Sequence, residues 1–311
     1  MTKLIGQKIF ITGGAGFLGK NLIANLYDDN EITVYSRDEA KHYPLKKRYP
    51  RVRFVIGDIR NRDLLIRKSK NHSMGIFAAS LKQIEACNDN YEEASKIIID
   101  GGFNSRLAAE ENGFKSACFI SSDKSRAATT LYGAMKYVAG EGFIAGTSNV
   151  NLTTAIYGNV TNSTGSVIPL MWDFINSDRT LQLYGERMTR FLLDVTDAMD
   201  LVLKSPEYSG VNLIPVTKSF KIKELFEIYS EEFGLKYEVT EPRTGEKIHE
   251  IMASSEEIRR MKYNKLANIY ELYPKSDINE LTFTNDEYSS RDVCVSKDEL
   301  YNYLKAKNFY K

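Results

Sequence analysis

Tyr132 and Lys136, the ends of YGAMK, stand four residues apart and share one face of a predicted helix, one turn from each other. An ammonium close to a phenol favours the phenolate, so the tyrosine could serve as a base near neutral pH. Nine positions before Tyr132 stands Asp123, followed by Lys124, in the run FISSDKS. An acid and an amine side by side where a predicted strand ends lie where α/β sheets place their ligands. Oxidising an alcohol needs only the tyrosine, the lysine and a cofactor. An added acid and base imply a second reaction, such as loss of water. As a plain surface ion pair, Asp123 and Lys124 would merely cap a loop, and Tyr-x-x-x-Lys alone recurs on many surface helices. The surrounding elements decide between these readings.

Lys8–Thr12 (KIFIT) is a short apolar strand that runs into glycines at 13, 16 and 19, and helical periodicity follows from Phe17 to Leu26. In such a turn one glycine permits the tight bend, the next lets a pyrophosphate reach the backbone, and the last lets helix lie on strand. The helix start then offers N–H groups and a positive dipole end to phosphates. Gly13, Gly16, Phe17, Leu18 and Gly19 are therefore candidate dinucleotide contacts. Further strands at 31–35, 52–56, 74–79, 117–121 and 152–157 alternate with helical stretches at 91–111 and about 132–147. That alternation predicts a Rossmann-type, doubly wound parallel sheet.

The second strand ends VYSRD (34–38). Asp38 lies about twenty positions past the glycines, where an acid accepts the ribose hydroxyls of NAD. Ser36, Arg37 and Lys41 could instead hold the 2′-phosphate of NADP, and this basic set favours NADP over NAD. Asp58 and Ile59, after the third strand, fall at the adenine edge, and Ala78 and Ala79 close the fourth strand.

After residue 160 the rhythm changes. Gly165–Pro169 reads as a turn into a helix, Leu181–Phe191 as strand-rich, Lys221–Phe233 as an amphipathic helix, and the tail from Ser254 as short elements. We expect an NADP-binding domain over 1–160 and a smaller substrate-binding lobe over 161–311, partly interleaved with it. A net charge of +1 makes no electrostatic case for nucleic acid or a membrane surface. Apolar runs fall far short of a membrane span. The opening MTKLIGQKIFITGG reads as a strand entering a turn without a signal-peptide pattern, so a cytoplasmic location is expected. Without that pattern the sequons at Asn151 and Asn162 carry no meaning. Cys87, Cys118 and Cys294 are too few and too scattered for a disulfide framework or zinc site, and His42, His72 and His249 suggest no metal.

The glycine turn, VYSRDE (34–39), GDIR (57–60), AASLKQIE (78–85), SSDK (121–124), YGAMK (132–136), YGNV (157–160), GSVIP (165–169), RMTRF (187–191), RTGEKIHE (243–250) and EYSS (287–290) occur in order. Together they resemble the inverting UDP-N-acetylglucosamine 4,6-dehydratases of the extended short-chain dehydrogenase/reductase superfamily, over nearly the whole chain. RMTRF and R-x-GEK-x-HE carry most of the specificity, because general Rossmann enzymes lack them. Four positions depart from the pattern. Phe77 stands where a histidine is usual, Ile98 for an asparagine, Ile156 for an arginine and Ser122 for a threonine, and the loop Ser125–Leu131 lacks the customary proline and asparagine.

The resemblance implies that Asp123, Lys124 and Tyr132 are catalytic, that Lys136 positions the nicotinamide ribose, and that Lys82 lines the site floor. It also implies that Asn159, Val167, Arg190, Arg243 and Glu246 face the nucleotide sugar, the arginines being suited to its diphosphate and uridine. The implied reaction converts UDP-N-acetylglucosamine, or a close UDP-sugar, to a UDP-2-acetamido-2,6-dideoxy-L-arabino-4-hexulose with NADP recycled internally. A homo-oligomer is implied as well. Two other readings stay open. A sugar-nucleotide 4-epimerase or 4-keto reductase would use Tyr132 and Lys136 without needing Asp123 and Lys124. A non-catalytic NADP-binding sensor would account for Phe77 and Ile98 as decay.

Overall fold

In the computed structural model the described residues are 2–163, 165–243, 245–275 and 285–309. Thr164, Thr244 of the RTGEKIHE motif and residues 276–284 of the tail lie outside them. The first half runs β1 (Lys8–Thr12), α1 (Phe17–Leu26), β2 (Glu31–Ser36), α2 (Glu39–Arg48), β3 (Arg53–Ile56), α3 (Arg62–Lys68) and β4 (Met74–Phe77). It continues with α4 (Ile84–Asp89), α5 (Tyr91–Ser95), α6 (Gly101–Glu111), β5 (Ser116–Ile120), α7 (Leu131–Ile144) and β6 (Asn151–Ala155).

The second half holds α8 (Val167–Asn176), β7 (Leu181–Tyr184), β8 (Thr189–Leu192), α9 (Val195–Lys204), β9 (Val211–Pro215) and β10 (Lys218–Lys221). Then come α10 (Ile222–Phe233), β11 (Tyr237–Thr240), β12 (Ile251–Ala253) and α11 (Ser255–Ile258). The last elements are β13 (Met261–Asn264), β14 (Ile269–Leu272), β15 (Tyr288–Ser289) and α12 (Lys297–Ala306).

The central sheet has the order β13-β14-β9-β6-β5-β4-β1-β2-β3, parallel from β3 to β9 and antiparallel at β14 and β13. The fold is the expected doubly wound α/β sheet. Its strand order reverses between β1 and β4, and the ends of those strands flank the crevice in which open α/β sheets bind ligands. Alternation along β1 shows how the faces are filled: Ile9 and Ile11 enter the core shared with α1 and α9, while Phe10 enters the one shared with α3, α6 and α7. A third core joins α8, β7, α10 and α12 in a separate lobe.

Three differences from the sequence reading have physical causes. Helix α2 (EAKHYPLKKR) buries only His42 and Leu45 and contains Pro44, so no apolar stripe announces it. The stretch expected as one helix over 91–111 is interrupted at Lys96–Asp100 by a π-helical turn, which turns both Ile97 and Ile98 inward. The tail, expected as lobe, sends β13 and β14 to the edge of the main sheet, and β9 pairs with β6 inside it. No helix among the described residues is long and apolar enough to cross a membrane.

Candidate active site

Behind β1, Gly13 adopts φ +69, and a Cβ there would lie 2.8 Å from the backbone nitrogen of Ala79. The turn can therefore press against the end of β4 only as glycine. Helix α1 begins at Gly16 without a side-chain cap, leaving its first N–H groups for a ligand. A cavity of about 510 Å³ opens here. Gly13, Gly16, Phe17, Leu18, Gly19, Ser36, Arg37, Lys41, Asp58, Ile59, Ala78, Ala79, Lys82, Tyr132 and Lys136 all line it. Free helix-start donors and two basic side chains suit a dinucleotide and its phosphates. Asp38 is engaged locally: it caps α2 through the Lys41 N–H and pairs with the Lys41 ammonium at 2.8 Å. The nearest carboxylate oxygen to Arg37 belongs to Asp58, at 3.8 Å.

The same cavity reaches Asp123 and Lys124, which begin a 3-10 turn separated from the end of β5 by two residues. Asp123 is fully buried. Its Oδ1 accepts from the Lys124 N–H at 2.8 Å, the Ser122 hydroxyl at 2.9 Å and Lys124 Nζ at 3.4 Å, while Oδ2 is buried with no partner. Burial, reinforced by Glu250, pushes its carboxyl up despite the Lys124 charge. An acid inclined to keep its proton, with one oxygen unspent, is what a general acid requires. Lys124 Nζ also donates to Asn159 Oδ1 and to Glu250 Oε1, each at 3.1 Å. Burial would lower this ammonium, but Asp123 and Glu250 overcome it and hold it above its usual value.

The turn is locked from behind by Arg126, a guanidinium that is 1% exposed. It reaches Glu257 of α11 at 2.6 Å and Glu141 of α7 at 2.9 Å. Lys247 donates to the Arg126 carbonyl. Thr130 caps α7 by accepting the Gly133 N–H, which sets Tyr132 and Lys136 on the helix face turned to the cleft.

The expected pairing of Tyr132 with Lys136 is corrected in its electrostatics. Lys136 Nζ donates to the Ile120 carbonyl at 2.8 Å, and burial lowers its amine to about 7. Burial also raises the Tyr132 phenol to about 12, and the cation opposing that rise is Lys124. Helical spacing placed both side chains correctly, but it could not reveal that both are desolvated.

A second cavity of about 560 Å³ adjoins the first through Asn159, Val160, Gly165 and Ser166. Val167, Arg190, Arg243 and Glu246 line it, so every residue expected to face the sugar nucleotide, including Lys82 in the first cavity, opens on one continuous cleft. Arg190 is buried, bonded to Glu246 at 2.8 Å and close to Glu250 at 3.5 Å. Arg243 is half exposed, pairs with Glu85 at 3.1 Å and lies over the Tyr184 ring. Sequence reasoning assigned no role to Glu250 or Arg126. Their one signal was position, within HE (249–250) and three residues past Asp123.

The family model for polysaccharide biosynthesis proteins matches residues 9–271. The chain belongs to the polysaccharide biosynthesis protein family. It is 34% identical to the inverting UDP-N-acetylglucosamine 4,6-dehydratase of Campylobacter jejuni serotype O:2, over 81% of this chain and 78% of that protein. It is 32% identical to a UDP-glucose 4-epimerase of Rickettsia bellii, over 86% of this chain and 83% of that one. The X-ray structure of Pen from Bacillus thuringiensis superposes with a TM-score of 0.89 at 25% identity, covering 98% of both chains. As a member of this polysaccharide biosynthesis family the chain is a nucleotide-sugar-modifying enzyme of the extended short-chain dehydrogenase/reductase type. Three of its four departures from the dehydratase pattern are apolar and interior: Phe77 packs on Phe143, Ile98 is 1% exposed, and Ile156 joins Phe191 and Met252. The fourth, Ser122, keeps a hydroxyl that donates to Asp123. Asp123, Lys124, Tyr132 and Lys136 stand complete around them.

Proposed function

We propose that the protein is a 5-inverting UDP-N-acetylglucosamine 4,6-dehydratase that keeps NADP bound through the cycle. Residues 1–160 would hold the dinucleotide and 161–311 the sugar nucleotide. The observation that carries this reading is Asp123, fully buried, with an unpartnered Oδ2 beside Lys124 and Tyr132 in the same cavity. The glycine turn with Arg37 and Lys41 would hold NADP, which would supply the acceptor for the hydride of carbon 4 and its donor at carbon 6. Tyr132 takes the proton of the 4-hydroxyl. The ketone acidifies carbon 5, Lys124 removes that proton, and Asp123 protonates the departing 6-hydroxyl. Arg37 and Lys41, both in the cofactor cavity, support NADP over NAD. The 34% identity to the inverting dehydratase supports the substrate and the inversion.

A 4-epimerase is the competing reading, favoured by the 32% identity to UDP-glucose 4-epimerases. An epimerase has no use for a buried acid and an amine at carbons 5 and 6. The test is mass spectrometry of purified protein with UDP-N-acetylglucosamine and no added reductant. A product lighter by one water supports the dehydratase; an isomer of unchanged mass makes it an epimerase.

A further inference from the structure

The base expected at carbon 5 stands in the wrong protonation state. Lys124 as an ammonium has three N–H groups and no lone pair, and three acceptors surround it: Asp123, Asn159 and Glu250. Before Lys124 can take a proton it must release one. Asn159 offers an amide oxygen that cannot hold a proton at ordinary pH. Asp123 is required in its protonated form, and its environment favours that form. Glu250 remains. Its side chain is 3% exposed, with Oε1 at 3.1 Å from Lys124 Nζ and Oε2 buried without a partner. Its backbone is clamped by Ser290, whose hydroxyl accepts the Glu250 N–H and whose N–H donates to the Glu250 carbonyl, both at 2.8 Å.

We propose that Glu250 is the positioning residue that makes Lys124 a base, by holding the lysine's proton while carbon 5 is deprotonated. This rests on the dehydratase reading above. The Lys124 ammonium passes one proton to the Glu250 carboxylate, leaving a neutral amine and a carboxylic acid. The amine then takes the carbon 5 proton, the C5–H electron pair becomes the C5–C6 double bond, and the 6-hydroxyl departs as water with the Asp123 proton. The Glu250 proton then passes through Lys124 to Asp123, carbon 5 takes a proton from solvent on its other face, and Tyr132 releases to solvent the proton it took, so that all four groups are reset. The charged and titratable groups facing this exchange are Asp123 beside Lys124, Tyr132 of α7, Arg190 of β8, and Lys247 just ahead of Glu250. Burial would raise the Glu250 carboxyl, but Lys124 and Arg190 hold it below its usual value and therefore ionised at rest, so it takes the lysine's proton only while carbon 5 is deprotonated. Two carboxylates pushed in opposite directions on either side of one amine divide the work: Asp123 gives a proton, Glu250 takes one.

The test is Glu250→Gln in the full chain, with UDP-N-acetylglucosamine in D₂O, following water loss and carbon 5 deuteration from about pH 6.5 to 9. Oxidation at carbon 4 serves as the internal reference. With no carboxylate to hold its proton, Lys124 must lose it to solvent. The carbon 5 step should fall about 10²-fold near pH 7 and recover about tenfold per pH unit, while the wild type stays flat. A Glu250→Gln profile parallel to the wild type, at whatever rate, overturns the proposal. Should that variant not fold, Glu250→Asp decides. A flat profile at a reduced rate supports the proton-holding role, and a profile rising with pH refutes it. Wild-type protein that releases no water from the substrate fails the dehydratase reading itself, and this role with it.

Discussion

Gly133 lies in the first turn of α7, against the carbonyl of Lys124, and a Cβ there would stand 2.1 Å from that oxygen. Ordinary contact begins near 3.4 Å, so Gly133→Ala must drive the 123–125 turn away by about 1.3 Å. Lys124 Nζ holds Glu250 and Asn159 at 3.1 Å. A shift of that size along either contact exceeds the hydrogen-bond limit of about 3.5 Å. Stability is pulled both ways: alanine gains about 1 kcal/mol over glycine inside a helix, and overpacking costs about 1–3 kcal/mol. The net is a loss of roughly 0–2 kcal/mol, which leaves a protein of this size folded. Catalysis has no such compensation, since a misplacement of about 1 Å can cost about 10²-fold in rate. We therefore expect a cooperative melt within several degrees of the wild type and a kcat for water loss about 10² lower. Calorimetry and mass-spectrometric kinetics at saturating substrate measure the two. A variant with near-normal kcat would refute the reasoning, because the turn would then yield without moving Lys124.

Asp123→Asn should slow water loss by about 10²–10⁴, while product made by the wild type in D₂O should show deuterium at carbon 5 with L-arabino couplings; D-xylo couplings would remove the inversion and leave the dehydratase standing. Arg243→Ala should raise KM with kcat nearly unchanged, because a diphosphate contact is equal in ground and transition states; a kcat loss at constant KM contradicts that placement. Arg37→Ala should weaken NADP about tenfold and NAD little, read by titration of stripped protein; equal losses dismiss the 2′-phosphate contact. Lys136→Met tests burial through pH. The Lys136 amine drops from 10.5 to about 7 in the fold, so the penalty of burying its charge is full below about pH 7 and fades toward 10.5. The variant's gain in Tm over the wild type should be largest at pH 7 and below and shrink as pH rises; a pH-independent difference would show that Lys136 is not desolvated.

Local spacing made a good part of this protein readable in its sequence. The glycines at 13, 16 and 19 follow an apolar strand, and their spacing is a backbone requirement that any such turn imposes. Tyr132 and Lys136 share a helix face because 3.6 residues make a turn, and Asp123 and Lys124 stand just past the end of β5. Alternating strands and helices announced the parallel sheet. Elements without a strong apolar period were not readable. Helix α2 has almost none, and the π turn at Lys96–Asp100 depends on packing that no local pattern records.

The protonation chemistry was decided by tertiary structure alone. Glu250 is 126 positions from Lys124 in the chain, and only the return of β12 toward β5 brings them to 3.1 Å. Arg126, which reads as one more charge in a polar loop, is buried because α7, β9 and α11 converge on it with Glu141, Asn212 and Glu257. Burial likewise pushes Asp123 and Tyr132 up and Lys136 down, and burial is a property of everything that packs around a residue. The sequence by itself determined which groups could give and take protons. How far each is desolvated, and which charge stands beside it, came from the tertiary fold, since charges interact through space and not along the chain.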